Sequence, residues 1–230
     1  MNKDKINPSI VSLLKAVSYF SNLDDDALNL IAQSAMPREF AAGQVILLEG
    51  EPCLGLYVVE SGWLKAIKIG MDGREQVLQT FGAGDVFNAI SVFTDAPNQA
   101  TVTCLEASQV WIVKRDILLN MLDDNSSLSR LVVKDFAGRV MHLIRMVEDL
   151  STRSVEARLA KLLLDQAEGE VVKRQRWATQ TEMAARIGTV PDMVNRGLRK
   201  LAAAGMIHVE RHQIRILDKE GLKVFAQLID

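Results

Sequence analysis

The stretch from Gln180 to Ile207, QTEMAARIGTVPDMVNRGLRKLAAAGMI, sets its polar side chains where they can meet a nucleic acid. At helical spacing, Asp192, Asn195, Arg196, Arg199 and Lys200 share one face. An Arg can fork onto guanine O6 and N7, an Asp can accept from cytosine N4, and Asn adds an adenine or phosphate contact. Arg199 and Lys200 suit the phosphate backbone, as does Thr179, and Gln180 and Thr189 complete the candidate DNA-binding set. The opposite face carries Val194, Leu198 and Leu201, an apolar stripe for burial. A shorter helical pattern, Thr181 to Ile187, precedes it, with Ala184 and Ala185 small enough for a second helix to approach closely. Gly188 can turn with positive φ between the two. Thr189 reads as the cap of the second helix in a T-x-x-D pattern, with Asp192 in its positive first turn and Pro191 near its start.

An amphipathic helical hairpin with a solvated charged face would show much of this, and the residues that follow separate the two readings. After Gly205, Met206 to Val209 and Gln213 to Leu217 alternate around the polar turn Glu210-Arg211-His212, as a β-hairpin does. Helix, turn, helix and hairpin make a winged helix-turn-helix, whose partner is double-stranded DNA.

Such a reader has to be positioned by what precedes it. Ser154 reads as the N-cap of a helix from Val155 to about Ala167, after a polar break at Ser151-Thr152-Arg153 that reads as a hinge. Asp218 reads as the cap of a last helix with Leu222, Phe225 and Leu228 on one face. Before the break, Val133, Phe136, Val140, Leu143, Val147 and Leu150 recur at spacings of 3 and 4. That 3.5-residue period is the seam of a coiled coil and predicts a homodimer through a pair of these helices. A dimer also suits the motif, since two recognition helices about one DNA turn apart (~34 Å) need a symmetric partner.

Upstream, residues 9–36 hold short helical patterns, Val11-Leu14-Val17 and Leu28-Ile31-Ala32, with Asp24 to Asp26 as a helix start. From Arg38 to about Ile117 the character changes. Eight of the fourteen glycines fall between Gly43 and Gly84 and separate short β-rich runs such as Gln44 to Leu48, Leu56 to Val59 and Trp63 to Ile69. Met71-Asp72-Gly73 is a hairpin signal. Many short strands at this spacing predict an antiparallel roll. The fold class is therefore α+β: an N-terminal antiparallel β-roll over residues 1–125, a dimerisation helix and hinge over 126–152, and a winged helix-turn-helix over 153–230.

Composition agrees with this division. The formal net charge is −2, yet residues 151–230 hold 14 Lys and Arg against 10 Asp and Glu, leaving +4 there and −6 over residues 1–150. The positive charge sits with the motif. Met1 to Lys5 leads into no apolar core with a cleavage site, and no apolar run approaches membrane-spanning length, so a cytoplasmic protein without a membrane partner is expected. Cys53 and Cys104, far apart in sequence, read as packing residues in a reducing compartment.

Over essentially its whole length the chain resembles the CRP/FNR superfamily of bacterial transcription regulators. The match rests on Phe81-Gly-Ala-Gly-Asp-Val-Phe with Ala96-Pro-Asn-Gln-Ala-Thr-Val, and on Gln180-Thr-Glu-Met-Ala-Ala-Arg-Ile-Gly with Val194-Asn-Arg-Gly-Leu-Arg-Lys-Leu and Gly205-Met-Ile. The resemblance implies a homodimeric DNA-binding regulator whose roll senses a signal, with RNA polymerase as a further partner where the outcome is activation. An effector-independent regulator of the same fold, or a haem- or gas-sensing one, are its alternatives.

Cyclic-nucleotide-binding members carry a Gly-Glu pair and an Arg-Ser or Arg-Thr pair in the roll. Here those places hold Asn88-Ala89 and Gln99-Ala100, and from Val86 to Thr103 there is no Lys or Arg. A buried cyclic phosphate needs a cation and a ribose hydroxyl needs an acceptor, so cAMP is not expected to bind tightly. Residues of the long helix that approach an adenine in such members fall at the apolar Leu143 and Ile144. The candidate effector pocket is Phe87, Asn88, Ala89, Ile90, Gln99, Ala100, Leu143 and Ile144, apolar with two polar handles and suited to a small neutral or aromatic ligand. Two cysteines cannot supply four thiolates to an iron–sulfur cluster. The three histidines, His142, His208 and His212, lie outside the roll, which argues against haem there and against a cupin-like metalloenzyme. No nucleophile–base pair or phosphate loop points to an enzyme. In the DNA-reading helix the family's Arg, Glu and Arg positions hold Pro191, Asp192 and Arg196, so the preferred half-site is expected to differ.

Overall fold

The computed structural model describes residues 8–173, 175 and 177–228. The first residues, Met1 to Lys5, read above for a secretory signal, lie outside the described ones. The chain divides into two units: residues up to Lys68 with Gln79–Val140, and Ile69–Leu78 with the residues from Met141 onward.

The first unit starts with α1 (Pro8–Ala16) and α2 (Asp25–Ser34). Asp24 caps α2 by accepting from the Ala27 amide at 2.8 Å, and Asp25 and Asp26 complement the positive end of the helix. Eight strands follow: β1 (Met36–Phe40), β2 (Val45–Leu47), β3 (Gly55–Ser61), β4 (Leu64–Ile69), β5 (Glu75–Phe81), β6 (Val86–Phe87), β7 (Thr101–Cys104) and β8 (Ser108–Lys114). They form two four-stranded sheets, ordered β1-β8-β3-β6 and β2-β7-β4-β5. Between the sheets pack Tyr57, Val59, Leu64, Phe87, Val102, Val110 and Ile112. The other face of the first sheet, with Leu56, Val58, Trp111 and Val113, packs against Ile10, Leu14, Leu28 and Ile31 of α1 and α2. Burial on both faces explains why β3 reads as an unbroken apolar run rather than an alternating one.

The sequence placed the end of the β-region near Ile117, and the structure ends it at Lys114, because Arg115 opens α4 (Arg115–Asp124) and Ile117 belongs to that helix. A short helix that the glycine punctuation did not reveal, α3 (Ala89–Thr94), lies between β6 and β7. Next comes α5, Ser126–Thr152, 27 residues long. Its early residues Leu128 and Val132 join the core beneath α1 and α2. Further along, Arg139 donates from Nε to Asp135 and from Nη2 to the Val86 carbonyl at 3.0 Å, and the Tyr19 hydroxyl donates to the same Asp135 carboxylate. Burial, reinforced by that carboxylate, pushes the Tyr19 hydroxyl well above its ordinary pKa.

The second unit contains α6 (Val155–Gln166), β9 (Val171–Lys173), α7 (Gln180–Ile187), α8 (Pro191–Ala203), β10 (Ile207–Val209), β11 (Gln213–Ile216) and α9 (Lys219–Phe225). Ser154 caps α6 through the Ala157 amide and Asp218 caps α9 through that of Gly221. The strands form one antiparallel sheet, ordered β10-β11-β9. β9 adds a third strand to the hairpin that the sequence indicated, and its signal was Val171-Val172 after the turn residue Gly169. Leu159, Leu163, Met183, Val194, Leu201, Ile207, Ile214 and Leu222 form the shared core. Among the described residues no helix is long and apolar enough to cross a membrane.

Candidate nucleic-acid interface

The polar face of α8 is held out by the packing of its other side. Thr179 caps α7, its hydroxyl accepting from the Glu182 amide at 3.2 Å, so that side chain is committed to the helix start. Gly188 ends α7 with φ of 65°, and the Gly188 and Thr189 amides both return to the Ala184 carbonyl. That left-handed turn is strained for residues with a Cβ. Thr189 is not the cap of α8, as its sequence position suggested. Val190 occupies the N-cap position in extended conformation, because the proline at the first helical position holds the residue before it out of the helical region. Thr189 is half-buried in the turn, and Gln180 is half-buried at the first position of α7.

Val194, Gly197, Leu198 and Leu201 of α8 are buried, while Pro191, Asp192, Arg196, Arg199 and Lys200 are exposed and Asn195 is half-buried. The close approach rests on Gly197 as well as on the alanines of α7. A Cβ at Gly197 would come within 2.7 Å of Leu159 Cδ2 on α6. Glycine there costs helix propensity, which is why its role is hard to see in sequence. Another residue passed over is Glu182, buried on α7 and paired with Arg186 one turn later at 3.2 Å. The Arg186 guanidinium in turn lies over the Trp177 ring, 5.1 Å from its centre.

The exposed basic side chains of α8 differ in how free they are. Lys200 is 3.4 Å from the Glu156 carboxylate on α6, and its ammonium lies 5.7 Å from the Phe225 ring centre. Glu156 is held below the usual glutamate range, chiefly by a backbone amide at the start of α6, with Lys200 adding to the effect. Arg199 donates to the Asn195 carbonyl one turn back at 3.4 Å. Arg196 touches only the Met193 sulfur, at 3.7 Å, and has no acidic partner among the described residues. A guanidinium without an internal acceptor, on a rigid helix, can donate both arms of its fork to a base edge.

In the roll the candidate effector residues take different places. Phe87 and Ala89 are fully buried, with the Phe87 ring stacked on Tyr57 at 4.8 Å and tilted against Phe81 at 5.3 Å. Asn88 adopts a left-handed conformation at the start of α3, and its amide is directed at Cys53 Sγ, the Gly55 carbonyl and Asn98 Oδ1 at 3.1–3.3 Å. Gln99 is exposed and donates to the Pro97 carbonyl at 2.7 Å; Ile90 is exposed and Ala100 half-buried. Burial holds the Cys53 and Cys104 thiols above their ordinary pKa, and both are free.

On α5, Val133, Val140, Leu143, Val147 and Leu150 are exposed, together with Met141 and Ile144. Phe136 is half-buried, its ring 6.0 Å from that of Phe93.

Comparisons with known proteins follow the same division. Residues 37–125 match the cyclic nucleotide-binding domain family, and residues 157–225 match the Crp-like helix-turn-helix domain family. The chain is 30% identical to the "Probable transcriptional regulator flp" of Lacticaseibacillus casei, over 94% of this chain and 98% of that one. It is 28% identical to the CRP-like cAMP-activated global transcriptional regulator of Mycobacterium tuberculosis, over 91% and 96% of the two chains. Among solved structures it resembles FixK2 from Bradyrhizobium japonicum with a TM-score of 0.73 and 21% identity, covering 83% of this chain and 96% of that one. A CRP/FNR-family regulator from Eubacterium rectale gives a TM-score of 0.75 at 22% identity, covering 93% and 99%.

Proposed function

The chain belongs to the CRP/FNR superfamily of transcription regulators, and from that premise we propose that it acts as a homodimer reading a two-fold symmetric DNA site with the exposed face of α8. The observation that carries this reading is Arg196, a guanidinium without an acidic partner among the described residues, on a helix held by a packed core. Arg196 contacts guanine, Asp192 accepts from cytosine, Asn195 adds an adenine or phosphate contact, and Arg199 with Lys200 contacts the backbone. Pro191 has no side-chain donor, so the half-site differs from one read by an Arg at that place. The exposed apolar stripe of α5 is the seam on which a second copy seats, giving two copies of α8 about one DNA turn (~34 Å) apart. The protein works in the cytoplasm, where the DNA lies.

The signal sensed by the roll is something other than cAMP. The Mycobacterium tuberculosis relative is described as cAMP-activated, whereas here Val86 to Thr103 lacks any Lys or Arg and Ala89 leaves no carboxylate for a ribose. The Asn88 amide is directed at acceptors within the roll.

Selection of bound DNA from a random pool by the full chain tests the main reading. It is expected to enrich a two-fold symmetric sequence; enrichment of no sequence, or of a single half-site, would overturn it.

A further inference from the structure

The second unit contains a cleft of about 390 Å³ that the α8 reading face does not use. Its walls come from the later part of α5, from α6 and from the end of α7. Arg145, Arg158, Lys161 and Arg186 line it, against the carboxylates of Asp149 and Asp165. Asp149 is already engaged by Lys161 at 2.5 Å and by Arg153 at 2.8 Å. The basic side chains are less fully matched. Arg158 donates from Nη1 to the Leu150 and Arg153 carbonyls, but its Nε is buried without an acceptor. Arg186 donates from Nε to Glu182, and its Nη2 is likewise buried without one. Arg145 is exposed and has no partner among the described residues. The site is rich in cationic donors and short of acceptors, an imbalance costly for buried charged groups.

Met146, Leu162 and Ile187 supply an apolar wall beside these cations. A volume of this size lies in the range of small-molecule clefts, ~300–1,000 Å³. We infer that this cleft binds a small organic phosphate, whose oxygens accept from Arg145, Arg158 and Arg186 and whose carbon framework lies against Met146 and Leu162. None of the cleft's lining residues belongs to the candidate effector set of Phe87–Ile90, Gln99, Ala100, Leu143 and Ile144. Leu150 lines it and also belongs to the apolar seam, whereas at about 100° per residue Arg145 falls on the side of α5 away from Val133, Val140 and Val147. A second copy seated on that stripe leaves Arg145 open.

Isothermal titration of the full chain with ADP, pyrophosphate and adenosine tests the inference, independently of DNA. ADP is expected to bind, pyrophosphate more weakly for lack of the apolar contact, and adenosine not measurably. Arg145→Gln, an exposed position that leaves the core untouched, is expected to weaken ADP by about ten- to a hundredfold, as loss of a charge-assisted hydrogen bond does. Lys219→Gln, the same charge change on α9 outside the cleft, is expected to leave ADP affinity unchanged. Absence of ADP binding to the wild-type chain would overturn the inference. So would equal affinity for adenosine, an Arg145→Gln chain that binds as well as wild type, or equal weakening by Lys219→Gln.

Discussion

Arg196 on α8 and Asn88 at the start of α3 are both polar side chains where the sequence pointed to recognition, and their surroundings are opposite. Arg196 projects from a helix whose other face is buried, and among the described residues its one hydrogen-bond contact is a methionine sulfur. Asn88 is turned into the roll, where a thiol, a backbone carbonyl and a second amide surround its nitrogen. A side chain whose donors are unmatched inside the protein is available to a partner, and one whose donors are already matched is part of the frame. Residue type alone does not separate these two cases; the identity of the neighbours does.

The sharpest break of this contrast comes from the element that would present two copies of α8 together. Val140→Asp combined with Val147→Asp puts charge into the exposed α5 stripe without disturbing a packed core. Sedimentation of the variant is expected to show monomers, and its affinity for a full two-fold site to fall about a hundredfold or more, as bivalent binding is lost. A dimer that survives both substitutions would remove α5 as the seam.

Next in size is the frame itself. Asn88→Ala removes the amide donors and places a Cβ-bearing, non-amide residue at φ of 68°. Urea unfolding is expected to show about 1–3 kcal/mol lost from the roll. No change would mean that this amide frames nothing. Gly197→Val tests the scaffold beneath Arg196, since its side chain meets Leu159 on α6. A loss of about 1–3 kcal/mol is expected from overpacking, read from the winged-helix transition in the same experiment.

The smallest effect concerns pH. Burial holds the Asp165 carboxyl above the usual aspartate range, with Asp149 adding to the shift and Lys161 opposing it. The folded state therefore holds that proton more tightly than the unfolded chain. The resulting penalty is absent below the ordinary aspartate pKa, develops as pH rises through the raised one, and is fully present at neutrality. Asp165→Asn is expected to stabilise the protein at neutral pH, with the gain vanishing in acid; denaturation at the two pH values measures it.

Much of this contrast was legible in the sequence on one side and little on the other. The helix starts at Asp24, Ser154 and Asp218 were readable because a short polar side chain before an apolar period has one local role. The faces of α8 followed from its period, and the turn at Gly188 from its lack of a Cβ. Thr189 has the side chain of a cap but not its place, because Pro191 moves that role onto Val190, a backbone constraint stronger than a side-chain preference. The role of Gly197 depends on a contact with Leu159 of α6, distant in sequence, which no local pattern carries, and Val171-Val172 after Gly169 is too short a run to show the pairing of β9 with β11. In the roll, the types of Asn88 and Gln99 were plain, but their bonds to Gly55 and Pro97 belong to the folded arrangement.

The most direct test of the account is the ratio of affinities for a selected site and for a random duplex, measured by fluorescence anisotropy for wild type and for Arg196→Ala. The variant is expected to lose about 1–3 kcal/mol on the selected site while its affinity for the random duplex is unchanged. Equal loss on both sequences would make Arg196 a phosphate contact and contradict the claim that α8 reads bases through it.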